Sequence, residues 1–330
     1  MASPVVPQTL GHVRARPTLR GHVQIARIDH WLKNVFVVPG VVAAIGTDPT
    51  HVSGGLWSSI VVGLFATCLV ASSNYVLNEV LDAPTDRFHP VKHTRPVPCG
   101  LVSIPLAYVQ WIALMVVGVG LGLTVSVPLA STLFVLWIMG CLYNIPPIRS
   151  KDVPYIDVLS EAINNPLRML AGWFIVSTAS VAPASLLLSY WMVGCYFMAI
   201  KRYAEYREIG DSVRATAYRK SLAYYSLDRL MISIMFYGSA AMLFLGAFIM
   251  RYRLELILAF PLVALVMAIY LALAFKEHSA AQHPEGLYRE PVLMAAVIAC
   301  AVVMGILMLV DIPVMQTLFA PTAPTIVARQ

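Results

Sequence analysis

The sequence predicts an all-α polytopic membrane protein of about nine transmembrane helices, and three observations carry that expectation. Of its 330 residues, 59% are hydrophobic and 12% charged, with a mean hydropathy of +0.74, whereas a soluble domain carries about 25% charged residues. Apolar runs near the roughly 20 residues that cross a hydrocarbon core recur at 33–46, 56–80, 101–121, 124–142, 157–178, 182–202, 229–250, 254–275 and 291–311. Lys and Arg then collect in alternate connections: five in 1–33, three in 81–100, two in 143–156, seven in 201–229 and two in 276–290. The intervening connections hold only Arg251, Arg253 and Arg329. Basic residues favour the cytoplasmic side of a membrane. The expectation is therefore a multi-pass protein of the inner (plasma) membrane, with its N terminus cytoplasmic and, with an odd number of spans, its C terminus outside. The same placement accounts for the net charge of +6 without nucleic acid, leaving membrane lipid as the partner.

Residues 1–23 read as a disordered cytoplasmic tail. Arg14, Arg16 and Arg20 are present, but no uninterrupted apolar core with a small-residue cleavage site follows, so a signal peptide is not expected. One membrane domain fills 24–311, without a tandem repeat, and 312–330 forms a short C-terminal tail. The first span is short, contains Pro39 and opens on Trp31-Leu32-Lys33-Asn34, which alone would be an interfacial anchor. Cys68, Cys99, Cys141, Cys195 and Cys300 show no CxxC or CxxH spacing and read as packing residues rather than disulfides or zinc ligands.

The second span ends in Asn78-Glu79-Val80-Leu81-Asp82-Ala83-Pro84-Thr85-Asp86, with Lys92, His93 and Arg95-Pro96 close behind. On a helix, Glu79, Asp82 and Asp86 fall at i, i+3 and i+7 on nearly one face, with Asn78 at its edge. Pro84 predicts a kink or a helix end. Carboxylates this close repel unless they share a cation, and hard oxygens suit Mg²⁺ completed by substrate phosphates. The neighbouring cations supply the matching anion site. The plainer alternative is a solvated acidic helix end.

Two further apolar spans lead to Tyr143-Asn144-Ile145-Pro146-Pro147-Ile148-Arg149-Ser150-Lys151, a loop with a Pro-Pro break. The fifth span then carries Asp157, Glu161, Asn164 and Arg168 at i, i+4, i+7 and i+11, a stripe about 16 Å long on one third of the helix. A charge facing lipid costs about 2.5–3.5 kcal/mol, so the stripe must face protein or a wet cavity. An internal structural network, such as Glu161 paired with Arg168, is the plainer reading. Pro166 opens the backbone ladder locally. The sixth span ends in Lys201-Arg202-Tyr203-Ala204-Glu205 and continues to Tyr218-Arg219-Lys220-Ser221-Leu222, alone a lipid-headgroup anchor. The connections 81–100, 143–156, 203–228 and 276–290 are long and polar on one side, while those near 122, 180 and 252 are short and 47–55 is the exception. That asymmetry points to work at the cytoplasmic face.

Asn78-Glu79-x2-Asp82-x3-Asp86, with Arg87-Phe88-His89-Pro90-x-Lys92-x2-Arg95-Pro96, resembles the first aspartate-rich motif of the UbiA superfamily of intramembrane prenyltransferases. Arg27-x3-Trp31-x-Lys33-Asn34, Lys201-Arg202-Tyr203-Ala204-Glu205 and Arg219-Lys220-Ser221-Leu222 are similar to the branch that makes decaprenyl-phosphoryl phosphoribose. The resemblance covers 24–311 and implies a helical bundle around a central cavity. It implies Mg²⁺-dependent transfer of 5-phosphoribose from phosphoribosyl diphosphate to a polyprenyl phosphate, feeding an arabinosyl-lipid donor for a cell envelope or for nodulation-factor arabinosylation. The implied metal set is Asn78, Glu79, Asp82 and Asp86, and the catalytic set is Asp82, Asp86, Lys33 and Arg95. The implied substrate-binding set is Asn34, Asn74, Lys92, Tyr143, Asp157, Glu161, Arg168, Lys201, Arg202, Tyr203 and Glu205, and a homo-oligomer is compatible with it.

Two departures stand out. The superfamily's Asn-Asp opening is Asn78-Glu79 here, which moves the carboxylate outward by one methylene. Asp157-x3-Glu161 can also be read as a variant of the second aspartate motif of aromatic prenyltransferases. The alternative reading is thus a prenyl diphosphate-dependent aromatic (quinone-precursor) prenyltransferase. A third is a transporter whose path is lined by Asp157, Glu161 and Arg168.

Overall fold

In a bilayer, backbone N–H and C=O groups must satisfy one another within a segment, and the long apolar runs accordingly become helices. The computed structural model describes residues 16–320 apart from 49, 51, 53, 88–91, 212–214, 217, 277–278 and 283. The first span, Leu19–Thr47, is composite: α1 (Leu19–Ile25), a 3₁₀ segment (Ile28–Val37) and α2 (Val38–Thr47). It is followed by α3 (Leu56–Asp86), α4 (Ile104–Val125) and α5 (Val127–Asn144). Two short helices, α6 (Ile156–Ala162) and α7 (Asn164–Val176), precede α8 (Ala184–Ile209) and α9 (Leu227–Tyr252). A 3₁₀ turn (Leu254–Ala259) leads into α10 (Phe260–Ala274), then α11 (Pro291–Leu309) and α12 (Pro313–Leu318). Prolines stand within the first two positions of α2, α4, α5, α10, α11 and α12, where a missing N–H breaks no bond.

Among the described residues, eight helices are long and apolar enough to cross a membrane and no strand forms. This is an integral membrane protein. The expected count of nine is not confirmed: the 157–178 segment is divided at Ile163 into α6 and α7, each too short to be counted among the eight. Pro84 does not end α3, which continues to Asp86. Order also begins earlier than a tail over 1–23 would allow: the Thr18 hydroxyl accepts from Gly21 N at 3.0 Å and caps α1. Residues 1–15 and 321–330 of the expected tails lie outside the described residues, and α12 occupies part of 312–330.

One core gathers Val37, Val70, Leu133 and Trp173 from the 3₁₀ segment, α3, α5 and α7. A second gathers Cys195, Ile200, Leu230, Ile234 and Tyr270 from α8, α9 and α10, and a smaller third joins Ile25, Val76, Val80, Val97 and Ala107. Close approach is enforced at Gly40 and Gly172: a Cβ on the first would lie 1.8 Å from Met169 O, and on the second 2.0 Å from Val37 O. Small residues permit this backbone contact between membrane helices, and it locks α7 against the first span. The C-terminal ends of α3, α5 and α8 and the start of α9 meet at one end of the bundle.

Candidate active site

At that end, α3 presents its acids to the connection between α5 and α6. Asp82 Oδ1 accepts from Lys151 Nζ at 2.6 Å and from Arg149 Nη2 at 2.9 Å. Lys151 also donates to Asn144 Oδ1 at 2.8 Å, and Asn78 Nδ2 donates to the same oxygen at 2.6 Å. The connection turns through Arg149 and Tyr155 at φ 29° and 63°. Left-handed backbone at non-glycine residues costs roughly 1–2 kcal/mol each, and the paired Arg149 and Lys151 heads offset it. One turn along α3, Asp86 accepts from Arg95 Nη1 at 2.7 Å. Lys92 lies over the Tyr218 ring, 5.2 Å from its centroid. Burial pushes the Lys151 ammonium down to about 8, with Asp82 acting in the opposite sense. Burial likewise lowers Lys92 and raises the Tyr218 hydroxyl to about 12.

A second cluster adjoins the first through Tyr143. Its ring faces Lys151 at 5.8 Å, and its hydroxyl donates to Glu161 Oε2 at 2.7 Å and accepts from Arg219 at 3.4 Å. At the centre stands Arg202, 1% exposed, which donates to Glu205 at 2.9 Å, Glu161 at 3.0 Å and Asp157 at 3.1 Å. Asp157, fully buried, also accepts from Tyr225 OH at 2.8 Å and Ser221 Oγ at 3.0 Å.

The structure therefore brings together Asn78, Asp82, Asp86, Lys92, Arg95, Tyr143, Asp157, Glu161, Arg202 and Glu205, but it redistributes their tasks. Glu79 is buried, and its Oε1 accepts from Val97 N at 3.0 Å. Among the described residues no group of three His, Cys, Asp or Glu converges as a metal cage. Arg202 and Asp157 pair with one another and with their neighbours. Asn74 donates to Leu136 O at 3.0 Å across α3 and α5, where Gly140 leaves room for it, and Tyr203 packs edge-on against Phe275 at 5.7 Å. Lys201 is half-buried on α8. Lys33 contacts His30 at 3.2 Å, and Asn34 joins Arg168 at 2.9 Å, two turns along from the acidic clusters. The pairing of Glu161 with Arg168 does not form; Arg202 takes Glu161 instead.

Asn144, Arg149, Lys151, Arg219, Ser221 and Tyr225 join the site although the expected metal, catalytic and substrate-binding sets omit them; all but Tyr225 lie in motifs quoted from the sequence. A signal existed for two of them: a pair of cations directly after a Pro-Pro break, on the same side of the membrane as the α3 acids.

The structure is thus a helical membrane bundle with acids and cations interleaved at one end. The UbiA prenyltransferase family model matches residues 35–289, and the chain belongs to that family. Its fold is that of a UbiA homolog from Archaeoglobus fulgidus solved with DMAPP and Mg²⁺, with a TM-score of 0.67 over 88% of this chain and 99% of that one at 18% identity. In sequence it is similar to the decaprenyl-phosphate phosphoribosyltransferases of Mycolicibacterium smegmatis (28% identical, 62% of this chain and 63% of the relative) and Corynebacterium glutamicum (31%, 56% and 54%). It is also similar to nodulation protein NoeC of Azorhizobium caulinodans (26%, 69% and 71%). The alignments span less than two thirds of the two phosphoribosyltransferases' own length.

Proposed function

We propose that this protein is a transferase that moves 5-phosphoribose from phosphoribosyl diphosphate to a polyprenyl phosphate at the cytoplasmic face of the inner membrane. The observation that carries this reading is the junction of Asp82 with Arg149 and Lys151 beside the Asp86–Arg95 pair, a set of hard oxygens and phosphate-binding cations at the end of a lipid-embedded bundle. The similarity to decaprenyl-phosphate phosphoribosyltransferases supports the choice of donor.

Asp82 and Asp86 stand one helical turn apart on α3. Magnesium binds through one or two protein carboxylates completed by substrate phosphates, so this donor set fits it, with the Asn78 carbonyl as a third oxygen. When bound, the ion supplies positive charge to the diphosphate leaving group. Arg95, Arg149 and Lys151 bind the donor's phosphate oxygens, exchanging carboxylate partners for phosphate. Lys92 supports them electrostatically. Tyr143, pinned between Lys151 and Glu161, fixes the wall against which the sugar rests. A lipid phosphate oxygen forms the new bond to the anomeric carbon as the bond to diphosphate breaks. That phosphate is already ionised at neutral pH, so positioning rather than a general base is what the site must provide. The product would feed an arabinosyl-lipid donor for a cell envelope or for nodulation-factor arabinosylation, and the similarity to a protein named for nodulation supports the second use.

The test is transfer of isotope from labelled phosphoribosyl diphosphate into the lipid extract of membranes containing the protein. Label in a polyprenyl-linked product is the expected result. No label, together with prenylation of a quinone precursor from a prenyl diphosphate, would instead establish the aromatic prenyltransferase reading.

A further inference from the structure

Arg168 is a charged residue of the bundle that stands outside both clusters. It stands on α7, seven residues beyond Glu161, about 10 Å along the helix. Its Nε donates to Asn34 Oδ1 at 2.9 Å and its Nη1 to the Asn164 carbonyl at 3.4 Å. Both acceptors are neutral. Among the described residues no carboxylate forms an ion pair with it, although Asp157, Glu161 and Glu205 all lie on neighbouring turns and helices. They are held by Arg202 and Arg219. A guanidinium has five N–H donors, and an ionised group at this depth without a counter-charge marks a functional site by default.

Its surroundings are built rather than incidental. Asn34 is buried, and its own amide is fixed by Cys68 Sγ at 3.1 Å. Gly40 and Gly172 bring the first span against α7 at backbone contact, which sets the Arg168 Cα beside Asn34. Trp31 donates to Ser72 at 2.8 Å and holds the same 3₁₀ segment to α3. The Asn164 side chain donates to Glu161 O at 3.0 Å, while its buried Oδ1 has no hydrogen-bond partner. That oxygen can accept from a hydroxyl. Tyr75 and Tyr190 lie within electrostatic reach of the guanidinium, and Tyr190 packs on Phe36 at 6.1 Å. The result is a cation and an orphaned acceptor in an aromatic-rimmed setting.

We infer that Arg168, seated by Asn34 and Asn164, is a second phosphate subsite that takes a phosphomonoester, separate from the diphosphate site at Asp82 and Lys151. This rests on the proposed reaction for its two sources: the 5-phosphate of the sugar donor, or the phosphate of the polyprenyl acceptor. In either case the orphaned Asn164 oxygen would accept from a sugar hydroxyl beside that phosphate.

The experiment uses full-length protein in nanodiscs and reads binding rather than turnover. Decaprenyl phosphate is compared with decaprenol, and ribose 5-phosphate with ribose, for the native protein, Arg168→Gln and Arg168→Lys. The expected result is a loss of ten-fold or more for one phosphorylated ligand in Arg168→Gln, partial recovery in Arg168→Lys, and no change for its unphosphorylated counterpart. Which ligand responds identifies the source. Unaltered affinity for both phosphorylated ligands, or equal losses with and without the phosphate, would overturn the inference. Melting curves of the three proteins keep a folding defect from being taken for lost binding. If labelled phosphoribose never reaches lipid, the reaction fails while the binding comparison still decides the subsite.

Discussion

Replacing Arg202 by Met tests whether this arginine is the keystone of the acidic cluster or a phosphate ligand. Its guanidinium is 1% exposed and serves Asp157, Glu161 and Glu205, whose side chains are 0%, 31% and 8% exposed. Removing one partner of a buried ion pair costs about 3–5 kcal/mol, because the abandoned charge stays desolvated. Here three carboxylates lose their shared cation, and only Asp157 and Glu161 keep hydroxyl or Arg219 contacts. The expected destabilisation is therefore at least ~3 kcal/mol, about a 150-fold shift in the folded-to-unfolded ratio. The assay is thermal unfolding of purified protein in detergent, read by loss of monodisperse material. Arg202→Lys should recover little, since an ammonium cannot serve three carboxylates with one planar fork. Combining Arg202→Met with Asp157→Asn, Glu161→Gln and Glu205→Gln should recover much more. A melting curve of Arg202→Met that overlays the native one, with only a raised KM for phosphoribosyl diphosphate, would refute the keystone role and return Arg202 to phosphate binding.

Other outcomes follow from the same geometry. Asp82→Asn should lower label transfer by at least ~100-fold, the scale of losing one preorganised electrostatic group, while the protein still elutes as folded material; near-native turnover would remove Asp82 from the metal site. Chelation of divalent cations should abolish transfer and added Mg²⁺ restore it, as followed by the same isotope assay. Glu79→Gln should keep most activity, because an amide carbonyl can still accept from Val97 N–H. Glu79→Ala should expose residues 96–101 to limited proteolysis; equal losses of activity in both, with no new cleavage, would put Glu79 back among the metal ligands.

The membrane made much of this legible. Apolar runs and basic connections identify spans because lipid tolerates neither unpaired backbone nor stray charge. For the same reason Asp82, Asp86, Asp157, Glu161 and Arg202 stand out as chemistry-bearing positions. Pairing was not legible. Glu161 and Arg168 share a helix face at seven-residue spacing, yet the break at Ile163 and the arrival of Arg202 from α8 decide their partners. That is a tertiary choice which helical periodicity on one segment cannot contain. Glu79 is similar: its face on α3 is fixed by the sequence, but whether that face meets a metal or Val97 depends on where the 92–101 connection folds back. Arg149 and Lys151 escaped because a turn with positive φ at Arg149 aims them.

Under the proposed reaction, the two clusters taken together give a reason for a divalent cation. Asp82, Asp86, Asp152, Asp157, Glu161 and Glu205 are matched in the observed ion pairs by Arg95, Arg149, Lys151, Arg202, Arg219 and Lys220. Those six bases are already engaged by carboxylates, so a diphosphate has to draw them away. When a donor draws Arg149, Lys151 and Arg95 toward its phosphates, Asp82 and Asp86 lose their counter-charges in a half-buried setting where such a loss is costly. Asp82 and Asp86 would hold a divalent ion in the proposed reaction, and its charge would restore the balance. In the proposed reaction the acids on α3 would hold the metal, and without it they occupy Arg95, Arg149 and Lys151. The proposal therefore predicts that donor affinity and metal affinity are coupled through that exchange, each strengthening the other to the same degree by linkage.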